Sequence, residues 1–354
     1  MIKVLVVDDS ALVRKVLTEI INRFHDLQVV ATANDAWQAR DSVNKYKPDV
    51  ITLDIEMPRM DGLSFLEKLM RAKPTPVVMI STLTEAGADA TLRALELGAI
   101  DYLPKPKVGV ADELEQYSLT IAEKIRTAAH ARVHKLSTEP AKIRRGQTPE
   151  HAAFLKGTEK IVAIGASTGG TEAIKEVLSA FPANMPAVVI TQHMPAGFTR
   201  SFAKRLNGCC AMRVKEAEHG ERILPGSAYL APGGDYHLEI RRSGANYHVH
   251  LSTAQAVNRH RPSVDVMFHS VAEHLGPNAL AVILTGMGKD GAMGMGAILG
   301  AGGYTIAQDE ESSLVYGMPK AAADMGFAQK IMPLQDIGPE LISTVQAMGI
   351  TSRV

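Results

Sequence analysis

The sequence has few of the features that mark secreted or membrane-spanning proteins. Only two of its 354 residues are cysteines, and because they are adjacent, at Cys209 and Cys210, they cannot form a disulfide framework. No apolar run reaches the length of a membrane span. The first apolar run, within residues 2–7, is broken at once by Asp8 and Asp9, which is unlike a signal peptide. We therefore expect a cytoplasmic protein in a reducing compartment.

An excess of charge of either sign is also absent. Lysine plus arginine and aspartate plus glutamate each total 38, so the net charge is zero. Charge thus gives no reason to expect a nucleic acid or an anionic membrane as a partner. What the chain does contain is 46% hydrophobic residues, ample for buried cores, and a length that predicts about two domains.

In the first part of the chain, β-rich runs alternate with segments of helical periodicity. The runs are Ile2–Val7, Gln28–Ala33, Val50–Leu53, Val77–Ile80 and Ile100–Leu103. This alternation predicts a parallel sheet covered by helices on both faces. Residues 136–157 contain prolines, Gly146 and a basic group but no sustained periodicity, so we interpret them as part of a linker. The predicted bounds are 1–129 for the first domain, 130–157 for the linker and 158–354 for the second domain.

Acidic, hydroxyl and amino side chains follow the predicted strands of the first domain. They are, in chain order, Asp8, Asp9, Asp54, Ser81, Thr82 and Lys105. The carboxyl ends of parallel strands converge on one edge of a sheet, where carboxylates can hold a hard divalent cation and a lysine can contact a phosphate. Asp8 alone could equally cap the next helix, so the prediction rests on the combination.

With this set of side chains, residues 1–125 resemble a response regulator receiver domain, which has a flavodoxin-like (βα)5 fold. The resemblance implies that Asp54 is the phosphoacceptor and that Mg²⁺ is held by four groups. These are the carboxylates of Asp8, Asp9 and Asp54 and the backbone carbonyl of Glu56. The chemistry agrees independently, since an aspartyl phosphate needs a carboxylate nucleophile, a metal and an opposing cation.

The same resemblance assigns the residues that would respond to phosphorylation. Lys105 would contact the phosphoryl group, and Tyr102 stands at the position of the family's rotating aromatic residue. The hydroxyl that follows the phosphate is Ser81 by the better alignment, with Thr82 as the alternative. Such a site is a switch, so we expect the rest of the chain to contain an activity that it controls.

The second part of the chain repeats the alternation of strands and helices. Strand-like runs between residues 160 and 308 are mostly separated by helical segments, which predicts a doubly wound, mostly parallel α/β domain. The exception is the pair His237–Arg241 and Tyr247–Ser252, with residues 243–246 between them. This pair predicts an antiparallel hairpin.

A serine stands on the first strand-to-helix turn of this second domain. Residues 165–170 read Gly-Ala-Ser-Thr-Gly-Gly, and small residues around Ser167 permit a tight bend that exposes its hydroxyl. The N–H groups at the start of the following helix could bind an anion. Taken alone, a glycine-rich turn could equally hold the phosphate of a dinucleotide.

Two further strand ends favour a nucleophilic serine over a dinucleotide site. The second strand runs into His193, where a dinucleotide site would have an acid for the ribose, and a later strand runs into Asp290. A serine, a histidine that takes its proton and an acid that orients the histidine are the groups that acyl transfer requires. Singly, His193 could be a structural histidine and Asp290 a helix cap. The order Ser-His-Asp also differs from that of α/β-hydrolases.

Residues 158–350 resemble the catalytic domains of the bacterial chemotaxis protein-glutamate methylesterase (CheB) family. The matching stretches are Ile164–Ile174, Ile190–Leu206, Tyr229–Gly233, Arg259–Ala272 and Leu284–Gly291. The resemblance implies that Ser167 attacks the methyl ester of a receptor glutamate, that His193 accepts the proton and that Asp290 orients the histidine. The backbone N–H groups of Thr168 and Met287 would stabilise the oxyanion.

The resemblance also implies the partners and the regulation. Chemoreceptors would be the substrates and a chemotaxis histidine kinase the phosphate source, without nucleic acid or direct membrane insertion. Deamidation of receptor glutamines is a second expected activity, and ester hydrolysis would need no cofactor. We hypothesise that the unphosphorylated receiver covers the approach to Ser167 until Asp54 is phosphorylated. The alternatives are a receiver-linked dinucleotide-binding enzyme, a non-catalytic signalling module and a DNA-binding response regulator.

Overall fold

The computed structural model describes residues 1–82, 84–106, 111–133 and 159–349. They belong to two compact units, one within residues 1–142 and the other within residues 143–354. Most of the predicted linker, residues 134–157, lies outside the described residues, so the domain bounds given above stay predictions. No helix in the described ranges is long and apolar enough to cross a membrane.

The first unit is a five-stranded parallel sheet with helices between the strands, as predicted. The strands are β1 (Ile2–Val7), β2 (Leu27–Ala33), β3 (Val50–Asp54), β4 (Val77–Ser81) and β5 (Asp101–Pro104). The helices are α1 (Ala11–Ile21), α2 (Ala36–Tyr46), α3 (Gly62–Ala72), α4 (Glu85–Glu96) and α5 (Ala111–His130). All pairs are parallel in the order β2-β1-β3-β4-β5, which is the flavodoxin-like order.

Side-chain caps fix where the helices of this unit begin. Ser10, Asp35, Asp61 and Thr84 each accept a hydrogen bond from a backbone N–H in the first turn of α1, α2, α3 and α4, which satisfies donors that a helix leaves unpaired. The cap of α1 is therefore Ser10 rather than Asp8. The capping alternative for Asp8 is wrong, and its carboxylate lies at the edge of the sheet.

The second unit contains a seven-stranded parallel sheet and a separate hairpin. The sheet strands are β6 (Ile161–Ala166), β7 (Ala187–Gln192), β8 (Arg213–Glu216), β9 (Ser227–Leu230), β12 (Ala279–Ile283), β13 (Tyr304–Gln308) and β14 (Lys330–Met332). The hairpin strands are β10 (His237–Ser243) and β11 (Asn246–Ser252). The helices are α6 (Gly170–Ser179), α7 (Phe198–Cys209), α8 (Val264–Leu275), α9 (Ala292–Gly300), α10 (Met318–Asp324) and α11 (Leu334–Gly349).

The sheet order positions the candidate site of this unit. The order is β14-β13-β12-β6-β7-β9-β8, and β6, β7 and β12 are buried along their whole lengths. Because the chain adds strands first on one side of β6 and later on the other, a crevice opens at its carboxyl end. The ends of β6, β7 and β12 lead into Ser167, His193 and Asp290 respectively, so all three residues follow neighbouring strands.

Two residue types that are scarce in the sequence lie in different units. The single tryptophan, Trp37 on α2, is 50% exposed. Cys209 at the end of α7 is exposed and Cys210 is partly buried, and both are free thiols. Their sulfur atoms are 3.9 Å apart. Two free thiols agree with the expectation that the chain has no disulfide framework.

Candidate functional site

Ser167 is the first residue after β6, and its backbone is held on three sides. Its N–H donates to the carbonyl of Thr285, at 3.1 Å. Its own carbonyl accepts from Gly170 N, at 2.7 Å, and from Gln192 Nε2, at 2.9 Å. The side chain is half-buried. The turn that carries Ser167 is thus tied to the last residue of β7 and to the segment after β12, which fixes the position of this candidate nucleophile.

Gln192, the last residue of β7, links the turn of Ser167 to His193. The side chain is buried, and its Nε2 donates to the carbonyls of Ser167 and, at 3.4 Å, of His193. Its Oε1 occupies the space beside Gly170 where a Cβ would lie, only 2.1 Å from it. A Cβ at Gly170 would also lie 2.6 Å from the Cβ of Ala166, so this last glycine of the turn stands where there is no room for a side chain.

His193 and Asp290 form a buried ion pair or hydrogen bond. Nε2 of His193 lies 2.8 Å from Oδ2 of Asp290, and the two side chains are 8% and 1% exposed. A carboxylate accepts, so Nε2 carries a proton, and in the neutral imidazole the lone pair then lies on Nδ1. In the described part of the chain Nδ1 has no hydrogen-bond partner, so the Ser167 hydroxyl does not donate to it here.

The imidazole nitrogen that faces the aspartate is not the one that faces it in the well-known serine proteases. There Nδ1 faces the aspartate and Nε2 faces the serine, whereas His193 offers Nε2 to Asp290. The chemistry is unaltered, because a neutral imidazole accepts a proton on whichever nitrogen lacks one. A histidine tied to an acid in this way is also unlike a dinucleotide site, which argues against that alternative.

Asp290 is further held by the amino-terminal turn of α8. Its carboxylate accepts from Ser263 Oγ at 2.7 Å, from Val264 N at 2.7 Å and from Asn258 Nδ2 at 2.8 Å. Burial alone would raise the pKa of Asp290, but the hydrogen bonds from His193, Asn258 and Ser263 lower it well below the usual range. Asp290 is therefore a carboxylate at neutral pH.

The capping alternative for Asp290 is wrong in a specific way. The helix that follows it, α9, begins at Ala292, and its N-cap residue is Gly291, which has no side chain to cap it. The carboxylate instead meets the start of α8, where backbone N–H groups favour a negative charge. Asp290 thus serves a helix distant in sequence, which no local pattern could indicate.

The segment between the hairpin and α8 covers the imidazole. The ring of His260 stacks on that of His193, with the ring centroids 3.7 Å apart and the planes within 8° of parallel. Asn258, two residues earlier, donates to both Asp290 and the buried Asp265, in each case at 2.8 Å. One short segment therefore contacts both members of the histidine–aspartate pair.

The predicted oxyanion donors flank Ser167. Thr168 follows it directly, and the Thr168 carbonyl accepts from Thr285 Oγ1 at 3.0 Å. Met287 follows Gly286, which packs so closely that a Cβ there would lie 2.8 Å from the Cβ of Ser167. Both turns therefore meet at the serine, and the assignment of their N–H groups to an oxyanion stays a prediction.

The acids predicted in the first unit do form a cluster. Carboxylate oxygens of Asp8, Asp9 and Asp54 lie within 4.8 Å of one another. Lys105 Nζ lies 2.9 Å from Asp54 Oδ2 and 3.7 Å from Asp8 Oδ2. The backbone of Glu56 is adjacent, since its N–H donates to Asp54 Oδ1 at 3.3 Å. Carboxylate oxygens grouped in this way are the ligands that hard divalent cations prefer.

The cluster is electrostatically costly as it stands. Burial raises the pKa of Asp54 to about 6, and the charge of Asp8 adds to this, whereas the hydrogen bond from Lys105 opposes it. Burial also raises the pKa of Asp8. Oδ2 of Asp8 is buried without a hydrogen-bond partner among the described residues. A buried carboxylate oxygen of this kind is chemically suited to ligate a hard cation.

The predicted switch residues lie around the same edge. Ser81 is buried at the end of β4, and its hydroxyl donates towards the carbonyls of Thr82 and Gly87, at 3.2 and 3.4 Å. Thr82 is half-buried, with its hydroxyl 3.4 Å from that of Thr84. Tyr102 on β5 is buried. Both hydroxyl candidates are thus at the strand end, and the choice between them stays a prediction.

Comparison with known proteins identifies the family. Residues 162–341 match the family model for the CheB methylesterase, and residues 4–116 match that for the response regulator receiver domain. The chain belongs to the CheB methylesterase family. Its fold agrees with this membership, because a Thermotoga maritima CheB methylesterase catalytic domain is similar with a TM-score of 0.51 and 41% identity. That similarity covers 52% of this chain and 98% of the other.

Full-length relatives of this CheB family member are more similar still. A protein-glutamate methylesterase/protein-glutamine glutaminase of Bordetella parapertussis is 58% identical, over 98% of each chain. A protein of the same name from Salmonella choleraesuis is 57% identical, over 98% of this chain and 97% of its own. The similarity therefore extends over both units and across the segment between them.

Sequence reasoning missed several residues of the CheB-type site. Asn258, His260 and Ser263 contact the histidine–aspartate pair, and Gln192 ties the serine to the histidine. A signal for part of this set exists, because polar residues stand directly before α8 in a stretch that resembles the family. No local signal indicates Gln192, whose role depends on β6 and β7 being neighbours.

Proposed function

We propose that the chain is a phosphorylation-regulated serine hydrolase that demethylates glutamate methyl esters on chemoreceptors and releases methanol. It also deamidates specific receptor glutamines. The observation that carries the proposal is the convergence of Ser167 with the bonded pair of His193 and Asp290 on neighbouring strands. Relatives named protein-glutamate methylesterase/protein-glutamine glutaminase support the choice of substrate. Through this activity the chain would mediate sensory adaptation in chemotaxis.

In the proposed reaction, the Ser167 oxygen attacks the ester carbonyl and its proton passes to Nδ1 of His193. Asp290 stabilises the resulting imidazolium through Nε2. Backbone N–H groups of Thr168 and Met287 stabilise the oxyanion, each by about 3 kcal/mol. When the tetrahedral intermediate collapses, the proton passes to the methoxy oxygen and methanol leaves.

The second half of the reaction regenerates the enzyme. Water attacks the acyl–serine bond and gives its proton to Nδ1 of His193, and the returning proton reforms the Ser167 hydroxyl as glutamate leaves. A glutamine side chain follows the same path with ammonia as the leaving group. Neither route needs a cofactor in the catalytic unit.

For the first unit we propose phosphorylation at Asp54 by a chemotaxis histidine kinase. Asp8, Asp9, Asp54 and the carbonyl of Glu56 would hold Mg²⁺, and the unpartnered Oδ2 of Asp8 supports that fit. The ion, when bound, neutralises charge on the phosphoryl oxygens. Lys105 Nζ lies 2.9 Å from Asp54 Oδ2 and would contact the phosphoryl group.

The response to phosphorylation would pass through the switch residues. Ser81, or Thr82 in its place, would follow the phosphoryl group, and Tyr102 would change its orientation. The activity of the catalytic unit would rise as the receiver ceases to inhibit it. We place the chain in the cytoplasm, which its two free thiols favour, with receptors and kinase as partners and without nucleic acid or membrane insertion.

The test is release of methanol from methylated receptor by the wild-type chain and by Ser167→Ala. Loss of the nucleophile is expected to lower the rate at least about 1000-fold, because triad residues act as a unit. Ser201→Ala on α7 is a matched control, and its rate should stay within about twofold of wild type. Ester hydrolysis that persists in Ser167→Ala would contradict the proposed function.

A further inference from the structure

The hydrogen bond of the His193 ring does not fix the plane in which the ring lies. Nε2 is held by Asp290, but Nδ1 has no hydrogen-bond partner among the described residues. A ring held by one hydrogen bond at one edge can still tilt about that bond. Since Nδ1 is the atom that must meet the Ser167 proton in the proposed reaction, a tilt of the ring would move the acceptor off line.

The face of His260 supplies the missing constraint. Its ring lies parallel to that of His193 at a centroid distance of 3.7 Å, which is ordinary van der Waals contact across the whole ring. The arrangement fixes the plane in which the imidazole can lie. No other ring stacks on His193 within the part of the chain that the structure describes.

The backbone that carries His260 is held in an unfavourable conformation. Asn258 and Arg259 have φ angles of 52° and 67°, a left-handed region that asparagine tolerates but that a residue such as arginine rarely adopts. Val257 and His260 exchange backbone hydrogen bonds of 3.1 and 2.8 Å across this bend. The bend turns Asn258 towards Asp290 and the His260 ring onto His193. Strain at this point is thus compensated by contacts with the histidine–aspartate pair.

We infer that His260 is a positioning residue, whose ring fixes the plane of His193 so that Nδ1 faces Ser167. It would act through its contact with His193 and not on the substrate. The inference rests on the proposed function, since it concerns the base of that reaction.

The experiment compares His260→Ala with His260→Phe in the full-length chain, by methanol release from methylated receptor at one fixed phosphorylation state. The alanine variant removes the ring that stacks on His193, so kcat is expected to fall about 10- to 100-fold while KM changes less than about threefold. Phenylalanine keeps a flat ring of similar width, so kcat should return to within about threefold of wild type.

The matched control is His250→Ala. His250 also contacts another histidine ring, that of His219, at 5.0 Å, but neither ring contacts His193 or Asp290 among the contacts described. Its kcat is expected to stay within about twofold of wild type. Nuclear magnetic resonance gives an independent reading, because the ring-current shift of the His193 carbon-bound protons should vanish in His260→Ala and persist in His260→Phe.

Each result decides the matter. Full kcat in His260→Ala would refute the inference, and so would a loss in His260→Phe as large as that in His260→Ala. If the alanine variant does not fold, His260→Leu takes its place, since leucine fills space without a planar face and should stay slow beside phenylalanine. Activity that persists in Ser167→Ala would refute the proposed function instead, whatever the His260 variants do.

Discussion

Ser167 and His193, the proposed nucleophile and base, are connected by a residue that has no part in the proposed reaction. Gln192 donates from one amide nitrogen to the carbonyls of Ser167 and His193, so the two strand ends are held at a fixed separation. The side chain is buried, and its Oε1 has no hydrogen-bond partner among the described residues, so the hydrogen bonds of the amide are those that Nε2 donates. The spacing of Ser167 and His193 is therefore set by a side-chain hydrogen bond as well as by the sheet.

Replacing Gln192 by glutamate should be more harmful than replacing it by methionine. Glutamate has nearly the same shape but puts carboxylate oxygens against two carbonyl oxygens, whereas methionine only removes the hydrogen bonds. We expect a loss of about 1–2 kcal/mol in unfolding free energy for Gln192→Met and a larger loss for Gln192→Glu. Circular dichroism during urea unfolding and labelling of Ser167 with a fluorophosphonate measure the two effects.

The control for these variants is Gln329→Met. Gln329 is exposed and accepts a hydrogen bond from Thr305 N, away from the serine. Labelling of Ser167 should proceed at the wild-type rate in this variant and about tenfold or more slower in Gln192→Glu. Equal labelling rates in the wild type and in Gln192→Glu would show that the link between the strands does not position the serine.

At the scale of whole elements, the buried carboxylates at the ends of β1 and β3 lower the stability of the receiver unit when no cation is bound. Folding raises the pKa of Asp54 from its ordinary value to about 6, chiefly through burial. When folding raises the pKa of a carboxyl, the free energy of unfolding falls as the pH rises. The fall begins near the unfolded pKa, about 3.9, and ends once the pH has passed the folded pKa. Above pH 6 the full penalty is present.

Asp54→Asn should therefore stabilise the receiver unit. Without Mg²⁺ at pH 7 we expect the free energy of unfolding to rise by about 1 kcal/mol, and the difference from wild type to disappear below about pH 4. Urea titration followed by the fluorescence of Trp37, the single tryptophan, reports on this unit. Added Mg²⁺ should stabilise the wild type more than the variant.

Asp61→Asn is the control for the loss of a carboxylate. Asp61 caps α3 through its side-chain oxygen, and asparagine caps helices about as well, so stability should change by less than about 0.5 kcal/mol. If Asp54→Asn were less stable than wild type at pH 7 in the absence of Mg²⁺, the electrostatic cost assigned to the cluster would be wrong.

Elements with a buried, periodic pattern could be predicted from the sequence, and elements held by tertiary contacts could not. Strands β1 to β5 were predicted to within one or two residues because each is a short β-rich run. Strand β14 was missed, since it has three mostly exposed residues, and so was α11, which contains Pro339. The hairpin turn was predicted as residues 243–246 but spans only Gly244 and Ala245.

The candidate site divides in the same way. Ser167, His193 and Asp290 could be predicted because each follows a recognisable strand, and parallel strands end at one edge. Their partners could not, because Gln192, Asn258 and His260 act through neighbours that only the folded chain brings together. Which nitrogen of His193 faces the acid was equally beyond the sequence, since it depends on the direction from which Asp290 approaches.

For the whole molecule, the proposal makes the first unit an inhibitor of the second. A fragment of residues 158–354 should therefore release methanol at least as fast as the unphosphorylated full-length chain. A catalytic domain of this family has been solved as a separate chain, so the fragment is expected to fold. Initial rates at equal concentrations are the measurement, with the Ser167→Ala fragment as the blank.

A fragment that is folded by circular dichroism but much slower than the resting full-length chain would contradict inhibition as the only mode of control. In that case the receiver would contribute to activity rather than only withhold it. Adding a phosphodonor to the full-length chain separates the two cases, because relief of inhibition alone cannot raise the rate above that of the fragment.

Because tryptophan and cysteine are scarce, the distance between the two units can be followed by energy transfer from Trp37 to a dye on Cys209. Burial raises the pKa of the Cys210 thiol to about 12, with a further contribution from Cys209, so a thiol dye attaches preferentially to the exposed Cys209. The donor fluorophore, Trp37, lies on α2 of the other unit. Energy transfer between the two therefore follows the separation of receiver and catalytic unit, before and after phosphorylation, in a chain with no substituted residue.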